Sequence, residues 1–341
     1  MVASKRSARL RSEPGAEVFD TDATPTPAFR AQVSVREERW QAAKLAREAI
    51  EVVAHTMDRV RQGKALEPAR LEHLAERIIA SLARNPDALR SLGRVRFRDR
   101  YTFEHAVSVA VLAGSFGLAL DLGEGELHDL VLAGLLHDVG KARVPLAILN
   151  KPGALDPGET EIMRHHVVDS RLLLEDAGLP AAVIRGAAQH HERHDGGGYP
   201  YGLAGDAISL FGRIVGISDV YDAVTADRVY RRGQTPTRVL RRLLNTADRE
   251  FETSLVHRFI QTVGIYPVGT LVRLESGRLA VVLERGERDL LRPLVRVFYD
   301  GANRQFLAPT DLDLARDPDL DSIVSSELPA WWGVKPHLYM D

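Results

Sequence analysis

The sequence predicts a mainly α protein: a helical bundle with an N-terminal helical segment before it and a small C-terminal β hairpin unit after it. Three observations carry that expectation. From about Arg36 to Val263, apolar residues recur at steps of three and four, the spacing of one helix face. Short joints rich in Gly and Pro separate these stretches, so helix packs on helix. After Tyr266-Pro267 the period changes to two, the spacing of a half-buried strand.

Composition narrows the class. The 341 residues leave room for one large domain or two to three smaller ones, and 45% hydrophobic with 27% charged is the balance of an ordinary globular chain. A net charge of −2 leaves no basic footprint for duplex nucleic acid or an anionic membrane. Cysteine is absent, which excludes disulfides, thiolate zinc sites and a Cys nucleophile; any metal has to be held by His and carboxylates. The uncharged run Ala106 to Leu120 has 15 residues and contains Ser108, Gly114, Ser115 and Gly117, too short and too mixed to cross a bilayer. Met1 to Arg11 is basic with no apolar core behind it, so it is not a secretory signal, and a cytoplasmic protein with no membrane span is expected.

Taken in order, residues 1–32 are rich in Pro, Thr, Ala and charge without periodicity, and read as a mobile tail. Residues 33–94 form the N-terminal helical segment. Within it Trp40, Ala43, Ala46, Ile50, Val53, Met57 and Val60 make a heptad stripe, suited to packing within the domain or to a homodimer. Gly63 ends that helix, and Leu71, Leu74, Ile78 and Leu82 mark a second one that closes near Asn85-Pro86. Residues 95–265 make the central domain, with helices after Phe103, from Glu124 to Val139, Pro157 to Ala177, Pro180 to His191 and Ile208 to Val224, and two more between Thr237 and Val263. Residues 266–341 hold the β unit and a tail: Leu271–Leu274 and Leu279–Glu284 pair across Ser276-Gly277, and Leu294–Phe298 is a third strand.

The stretch Leu132 to Lys141, L-A-G-L-L-H-D-V-G-K, is an apolar helix that ends on His137 and Asp138, with Gly140 placed to stop it. An imidazole and a carboxylate side by side at the end of a buried helix make half of a metal site. The remaining candidates are His105, His166, His190, His191 and Asp219, each on a helix or at a helix end. Asp219 lies in the apolar run Ile214–Ser218, where a lone carboxylate would cost several kcal/mol. Five imidazoles and two carboxylates are too many for one ion and suit two, with Asp138 as the natural bridge. His128-Asp129 is a useful contrast: nine residues earlier, it faces away from His137 and about 13 Å along the axis. His55, His73, His165, His194, His257 and His337 lack companions of this kind and are read as non-ligands.

H-D-V-G-K at 137–141, M-R-H-H-V at 163–167, H-H-E-R-H-D-G-G-G-Y-P at 190–200 and D-V-Y-D-A-V-T-A-D-R at 219–228 resemble the HD-GYP family, over residues 95 to about 260. These are bacterial cyclic di-GMP phosphodiesterases of the HD phosphohydrolase superfamily. The resemblance implies an HD-domain helical bundle and two divalent ions, iron or manganese, while the ligand chemistry admits zinc too. It implies His105, His137 and Asp219 on one ion, His166, His190 and His191 on the other, and Asp138 between them. One departure is Tyr101, where some members place a third-metal Glu; a phenol is a poor ligand at neutral pH, so a binuclear site is expected.

Catalysis would rest on Asp138 and Lys141. Lys141, Arg228 and Arg231 match substrate-phosphate positions, and Gly198-Tyr199-Pro200 would shape the cleft or dock a diguanylate cyclase domain. Asp222 and Asp227 are read as holding arginines and capping turns. The expected function is hydrolysis of cyclic di-GMP to pGpG, GMP or both. The rivals are another cyclic dinucleotide such as cyclic GMP-AMP as substrate, and a non-catalytic cyclic di-GMP binding module.

Overall fold

A computed structural model of the chain describes residues 31–92, 101–226, 233–286 and 289–340. The expected tail therefore lies almost wholly outside the described residues.

The first three helices are α1 (Val35–Arg61), α2 (Pro68–Arg84) and α3 (Pro86–Leu92). Ser34 and Glu37 start α1 as a reciprocal capping box, and Gly63 at φ 71° turns the chain after it. The buried row of α1 is Ala42, Leu45, Ala49, Val53, Met57 and Val60; of the expected stripe, Val53, Met57 and Val60 face inward, and Ala46 and Ile50 are half-buried against the same core. Trp40, expected on that stripe, is 72% exposed. The stripe therefore holds from Ala46 onward and fails only at its start, where Ala42 and Leu45 take the buried face. The Glu38 carboxylate, on the buried side, accepts from Ser81 Oγ at 2.7 Å and from Arg84 at 2.7 and 2.8 Å, tying α1 to α2.

The central bundle comprises α4 (Tyr101–Ala119), α5 (Glu124–Leu136), α6 (Leu146–Leu149), α7 (Pro157–Arg164), α8 (His166–Asp176), α9 (Ala181–Gln189), α10 (Leu210–Thr225), α11 (Pro236–Asn245) and α12 (Thr253–Val263). Among the described residues α4 is the one helix long and apolar enough to cross a membrane, and 72% of its Thr102–Ala119 window is buried inside the protein. It is the central core helix, packed on α1, α5 and α10. At Gly134 a Cβ would sit 2.7 Å from the Cα of Ala110, and that close approach of α5 to α4 sets His137 beside His105.

Two expectations needed correction here. The single helix expected from Pro157 to Ala177 is two, broken at His165. Neither Gly nor Pro marks that break, so only tertiary packing reveals it. The α5 helix ends at Leu136, before Gly140, and Val139–Arg143 continues as a 3-10 turn. Gly140 is therefore not a stop signal.

The C-terminal unit is larger than a hairpin with a third strand. It is a five-stranded antiparallel sheet in the order β4-β3-β2-β1-β5, made of β1 (Leu271–Leu274), β2 (Arg278–Glu284), β3 (Leu294–Asp300), β4 (Gln305–Asp313) and β5 (Ile323–Glu327). The two unexpected strands, β4 and β5, are the sheet edges. β4 is exposed along most of its length and so carries no apolar alternation to betray it; pairing with β3 makes it a strand. One buried cluster runs from Ala42 through the bundle helices to Val297 on β3. A short helix, α13 (Pro329–Trp332), follows the sheet.

Candidate metal centre

The ends of four helices and the middle of a fifth converge on one point. His105 lies on the second turn of α4, His137 caps α5 and Asp138 follows it, His166 starts α8, His190 caps α9 with His191 next, and Asp219 sits inside α10. His105, His137, Asp138, His166 and His190 are at most 3% exposed, and Asp219 is buried at 8%.

The imidazoles are aimed. Nδ1 of His137 donates to the carbonyl of Gly134 at 2.8 Å, Nδ1 of His166 to that of Met163 at 2.6 Å, and Nδ1 of His190 to that of Ala187 at 2.7 Å. Each bond reaches back three residues, and a carbonyl can only accept. The proton is therefore fixed on Nδ1 and the Nε2 lone pair points inward. Nε2 of all three, and Oδ1 of Asp138, are buried without a hydrogen-bond partner. Four orphaned acceptor atoms meeting in one dry place would be a heavy cost to a folded protein, and a cation removes it.

Ligand atoms of Asp138, His166, His190 and His191 lie within 4.8 Å of one another, as do those of His105, His137 and Asp138. Asp138 belongs to both groups: Oδ1 is 3.2 Å from His166 Nε2, and Oδ2 is 3.3 Å from His137 Nε2. His105 Nε2 lies 2.9 Å from Asp219 Oδ1, and His191 Nδ1 lies 3.9 Å from Asp219 Oδ2. All seven residues expected as ligands are thus brought together, and a divalent ion fits the donor set.

The electrostatics of His190, His191 and Asp138 suit ligation. Burial pushes His190 well below the usual imidazole range, with His191 and His137 adding to it, and burial takes His191 down to about 3. Both are neutral and available near pH 7. Burial works against ionising Asp138, but Lys141 and His137 overcome it and hold the carboxyl well below its ordinary value. Burial also opposes charge on Asp219 and on His105, yet their mutual bond dominates: Asp219 falls below the carboxylate range, and His105 rises to about 9 with Asp222 contributing.

Two features place this centre that residue spacing did not disclose. Gly140 would put a Cβ 2.0 Å from the carbonyl oxygen of His166 and 2.6 Å from the Ser170 nitrogen. Its N–H donates to Ser170 Oγ at 2.9 Å, and Ser170 Oγ donates to the His137 carbonyl at 3.0 Å, so the His137 turn is locked onto the start of α8. Asp222, read from sequence as holding an arginine or capping a turn, is bonded to His105 Nδ1 at 2.6 Å. The signal was present: Asp219 and Asp222 are three apart on one helix and share a face.

Lys141 Nζ lies 2.5 Å from Asp138 Oδ2, so it stands at the centre as expected, with the carboxylate as its partner. The ring of Tyr199 stacks on His191 at 4.8 Å, its N–H donates to the His191 carbonyl at 3.2 Å, and the Arg164 guanidinium lies 4.9 Å from its ring centre. Gly198 is packed so closely that a Cβ would fall 2.4 Å from the Arg193 nitrogen, and the Tyr199–Pro200 peptide is cis. The buried Glu192 carboxylate anchors the same loop through the N–H groups of Tyr201 at 2.7 Å and Leu203 at 3.1 Å. Tyr199 therefore lies against His191, while Gly198 packs on the Glu192–Arg193 backbone. Arg228, Arg231 and Asp227 lie outside the described residues, as does the side chain of Tyr101. His165 is on the surface beside Asp169, and His128 is half-buried against α2.

A buried cluster of His and Asp at converging helix ends in a helical bundle is consistent with a metal centre. A family model described as HD domain matches residues 73–255. Over 314 residues, 92% of this chain and 75% of the relative, the sequence is 40% identical to the cyclic di-GMP phosphodiesterase PA4108 of Pseudomonas aeruginosa. Over 134 residues, 39% of this chain and 31% of the relative, it is 42% identical to 3'3'-cGAMP-specific phosphodiesterase 1 of Vibrio cholerae. The solved structure of Bd1817, a HDG"Y"P protein from Bdellovibrio bacteriovorus, shares the fold with a TM-score of 0.54 at 16% identity, covering 68% of this chain and 74% of that one. The chain belongs to the HD domain family, in its HD-GYP branch.

Proposed function

We propose that this protein is a metal-dependent phosphodiesterase that opens cyclic di-GMP, yielding pGpG, GMP or both, and so lowers a second messenger in bacterial signalling. The observation that carries the reading is the set of orphaned donors, Nε2 of His137, His166 and His190 with Oδ1 of Asp138, in a chain 40% identical over 92% of its length to a cyclic di-GMP phosphodiesterase.

In this reading His105, His137 and Asp219 would hold one divalent ion and His166, His190 and His191 a second, with Asp138 within reach of both groups. Iron is the expected metal, with manganese as its substitute and zinc compatible with the ligands. Bound there, such ions supply a nucleophile from water near neutral pH and neutralise the non-bridging phosphate oxygens. The protein's own side chains do the rest. Three backbone carbonyls hold the imidazoles of His137, His166 and His190 in the ligating tautomer. Burial keeps His190 and His191 neutral, and Lys141 keeps Asp138 ionised. Lys141, 22% exposed, can turn its ammonium to a phosphate oxygen of the substrate. Tyr199, stacked on His191, and Arg164 over its ring put an aromatic group and a cation beside the site, groups that can meet a nucleotide base and a phosphate. Cytoplasmic action, substrate contacts by Arg228 and Arg231, and docking of a diguanylate cyclase domain on the Gly198-Tyr199-Pro200 loop belong to the same proposal.

The test is a product assay with iron- or manganese-loaded protein on cyclic di-GMP and cyclic GMP-AMP. The reading expects cyclic di-GMP to be the better substrate. The match to a 3'3'-cGAMP-specific enzyme makes preferential cleavage of cyclic GMP-AMP the outcome that would reassign the substrate. Full metal occupancy with both dinucleotides left intact would instead make the protein a binding module.

A further inference from the structure

We infer that Asp222 is a positioning residue of the centre: acting through His105, it sets the affinity of one half of the site for its metal. The inference rests on the two-ion reading above. It starts from a difference among the histidines. His137, His166 and His190 are each oriented by a backbone carbonyl of their own chain segment, at 2.8, 2.6 and 2.7 Å. His105 is oriented by a carboxylate, Asp222 Oδ2, at 2.6 Å from Nδ1, and Asp222 is itself only 5% exposed.

The arrangement has a plain local origin. Asp219 and Asp222 are three residues apart in α10, on one face, and α4 lays the His105 ring across that face. One carboxylate meets Nε2 at 2.9 Å and the other meets Nδ1 at 2.6 Å, so one turn of α10 clamps both edges of the imidazole. A carbonyl and a carboxylate both keep the proton on Nδ1, but only the carboxylate brings a full negative charge. That charge makes the opposite nitrogen a stronger donor to a cation. Three carboxylates thus serve the half formed by His105 and His137: Asp219, the shared Asp138, and Asp222 behind the ring. The half formed by His166, His190 and His191 has the shared Asp138, with Asp219 Oδ2 farther off at 3.9 Å from His191 Nδ1, and no carboxylate behind its His166 and His190 rings, which carbonyls orient. In a buried site an extra negative charge within a few ångström strengthens cation binding substantially. The two halves are therefore unequal, the His105 half is the tighter, and Asp222 adds to that half a charge that acts through the His105 ring.

The experiment loads the full chain with Mn2+ and counts bound metal across a graded chelator series, with electron paramagnetic resonance to tell a coupled ion pair from a single ion. It compares the wild type with Asp222→Asn, Asp222→Glu, His105→Ala and the Asp222→Asn/His105→Ala double variant. The amide of Asp222→Asn keeps size and hydrogen-bond acceptance while removing the charge. We expect that variant to release one Mn2+ with an affinity lowered about 10- to 100-fold. The second ion should be held as in the wild type and the spectrum should become that of an isolated ion. Asp222→Glu should recover part of the affinity, and Asp222→Asn should add nothing in the His105→Ala background. Wild-type affinity for both ions in Asp222→Asn, even with a lowered melting temperature, would overturn the inference and leave Asp222 a structural partner. So would an undiminished effect of Asp222→Asn when His105 is already absent. A wild-type chain that binds no Mn2+ would bring down the metal-centre reading itself, and this inference with it.

Discussion

Gly140→Ala is the sharpest single perturbation of the centre that leaves every proposed ligand in place. The added Cβ would lie 2.0 Å from the His166 carbonyl oxygen, 2.6 Å from the Ser170 nitrogen and 2.9 Å from the Asp169 Cβ. The first two obstacles are backbone at the start of α8, not the end of a flexible side chain, so relief requires the His137 turn and α8 to separate. Reaching an ordinary 3.4 Å contact needs about 1.4 Å of movement. Overpacking of this kind costs about 1–3 kcal/mol. Separation also strains the relay from the Gly140 N–H through Ser170 Oγ to the His137 carbonyl, at 2.9 and 3.0 Å, a loss of about 1 kcal/mol per bond. Together these put the destabilisation near 3–5 kcal/mol, an order of magnitude built from those two terms. The functional effect should be larger, because His166 moves with α8 while His137 and Asp138 stay with α5. A displacement of about 1 Å at a reacting centre can cost about 100-fold in rate. Urea denaturation, metal counting and kcat measured on one preparation would test this. The expected result is a lowered midpoint, less bound metal and a kcat reduced about 100-fold. Wild-type metal content and kcat in a correctly folded Gly140→Ala would refute the claim that this contact sets the spacing of the two halves.

Gly198→Ala should act from the other side of the site: its Cβ would fall 2.4 Å from the Arg193 nitrogen and 2.5 Å from the Glu192 Cα, pushing Tyr199 off His191. Expected are a loss of about 1–3 kcal/mol in denaturation and a raised KM for the dinucleotide; an unchanged KM would remove Tyr199 from contact with the substrate. Chelation should lower the thermal midpoint and added Mn2+ should restore it, by about 4 kcal/mol at a thousandfold excess over Kd, since only the folded chain assembles the site. A midpoint indifferent to chelator would count against a metal-bound native state. Far from the centre, Asp321 offers a pH test. Burial opposes its ionisation, but bonds from the Ser276 hydroxyl and N–H, Arg278 and the Ser322 N–H outweigh that and lower its pKa. The folded value lies below the unfolded one of about 3.9, so its stabilisation is complete above that pH and fades as pH falls through the folded value. The gap in stability between wild type and Asp321→Asn should therefore be constant near neutrality and narrow in acid. A gap that widens in acid would reverse the assigned sign.

Residue types and spacing picked out the seven residues that the fold brings together, because the chemistry open to a metal ligand is so restricted. With no cysteine, only His and carboxylates could serve, and seven of them fell at helix ends or inside apolar runs. Asp222 escaped because a carboxylate that orients a ligand leaves the same trace in sequence as one that caps a turn. Gly140 was noticed for the wrong reason: glycine after a helix usually signals a stop, whereas here it permits a close backbone approach that only the folded chain creates. The break at His165 and the strands β4 and β5 were invisible for a related reason. Their conformations are imposed by neighbours, not by local propensity or by an apolar face of their own.

The central claim is that orphaned imidazoles and one shared carboxylate hold the metal that performs the hydrolysis. Its most direct test is a metal count together with turnover of cyclic di-GMP, on wild type and His137→Ala purified without oxygen and reloaded with iron or manganese. The account predicts two ions per wild-type chain with pGpG or GMP formed, and both metal and product sharply reduced in the variant. Undiminished turnover in His137→Ala, or turnover by a wild-type chain stripped of metal, would contradict it.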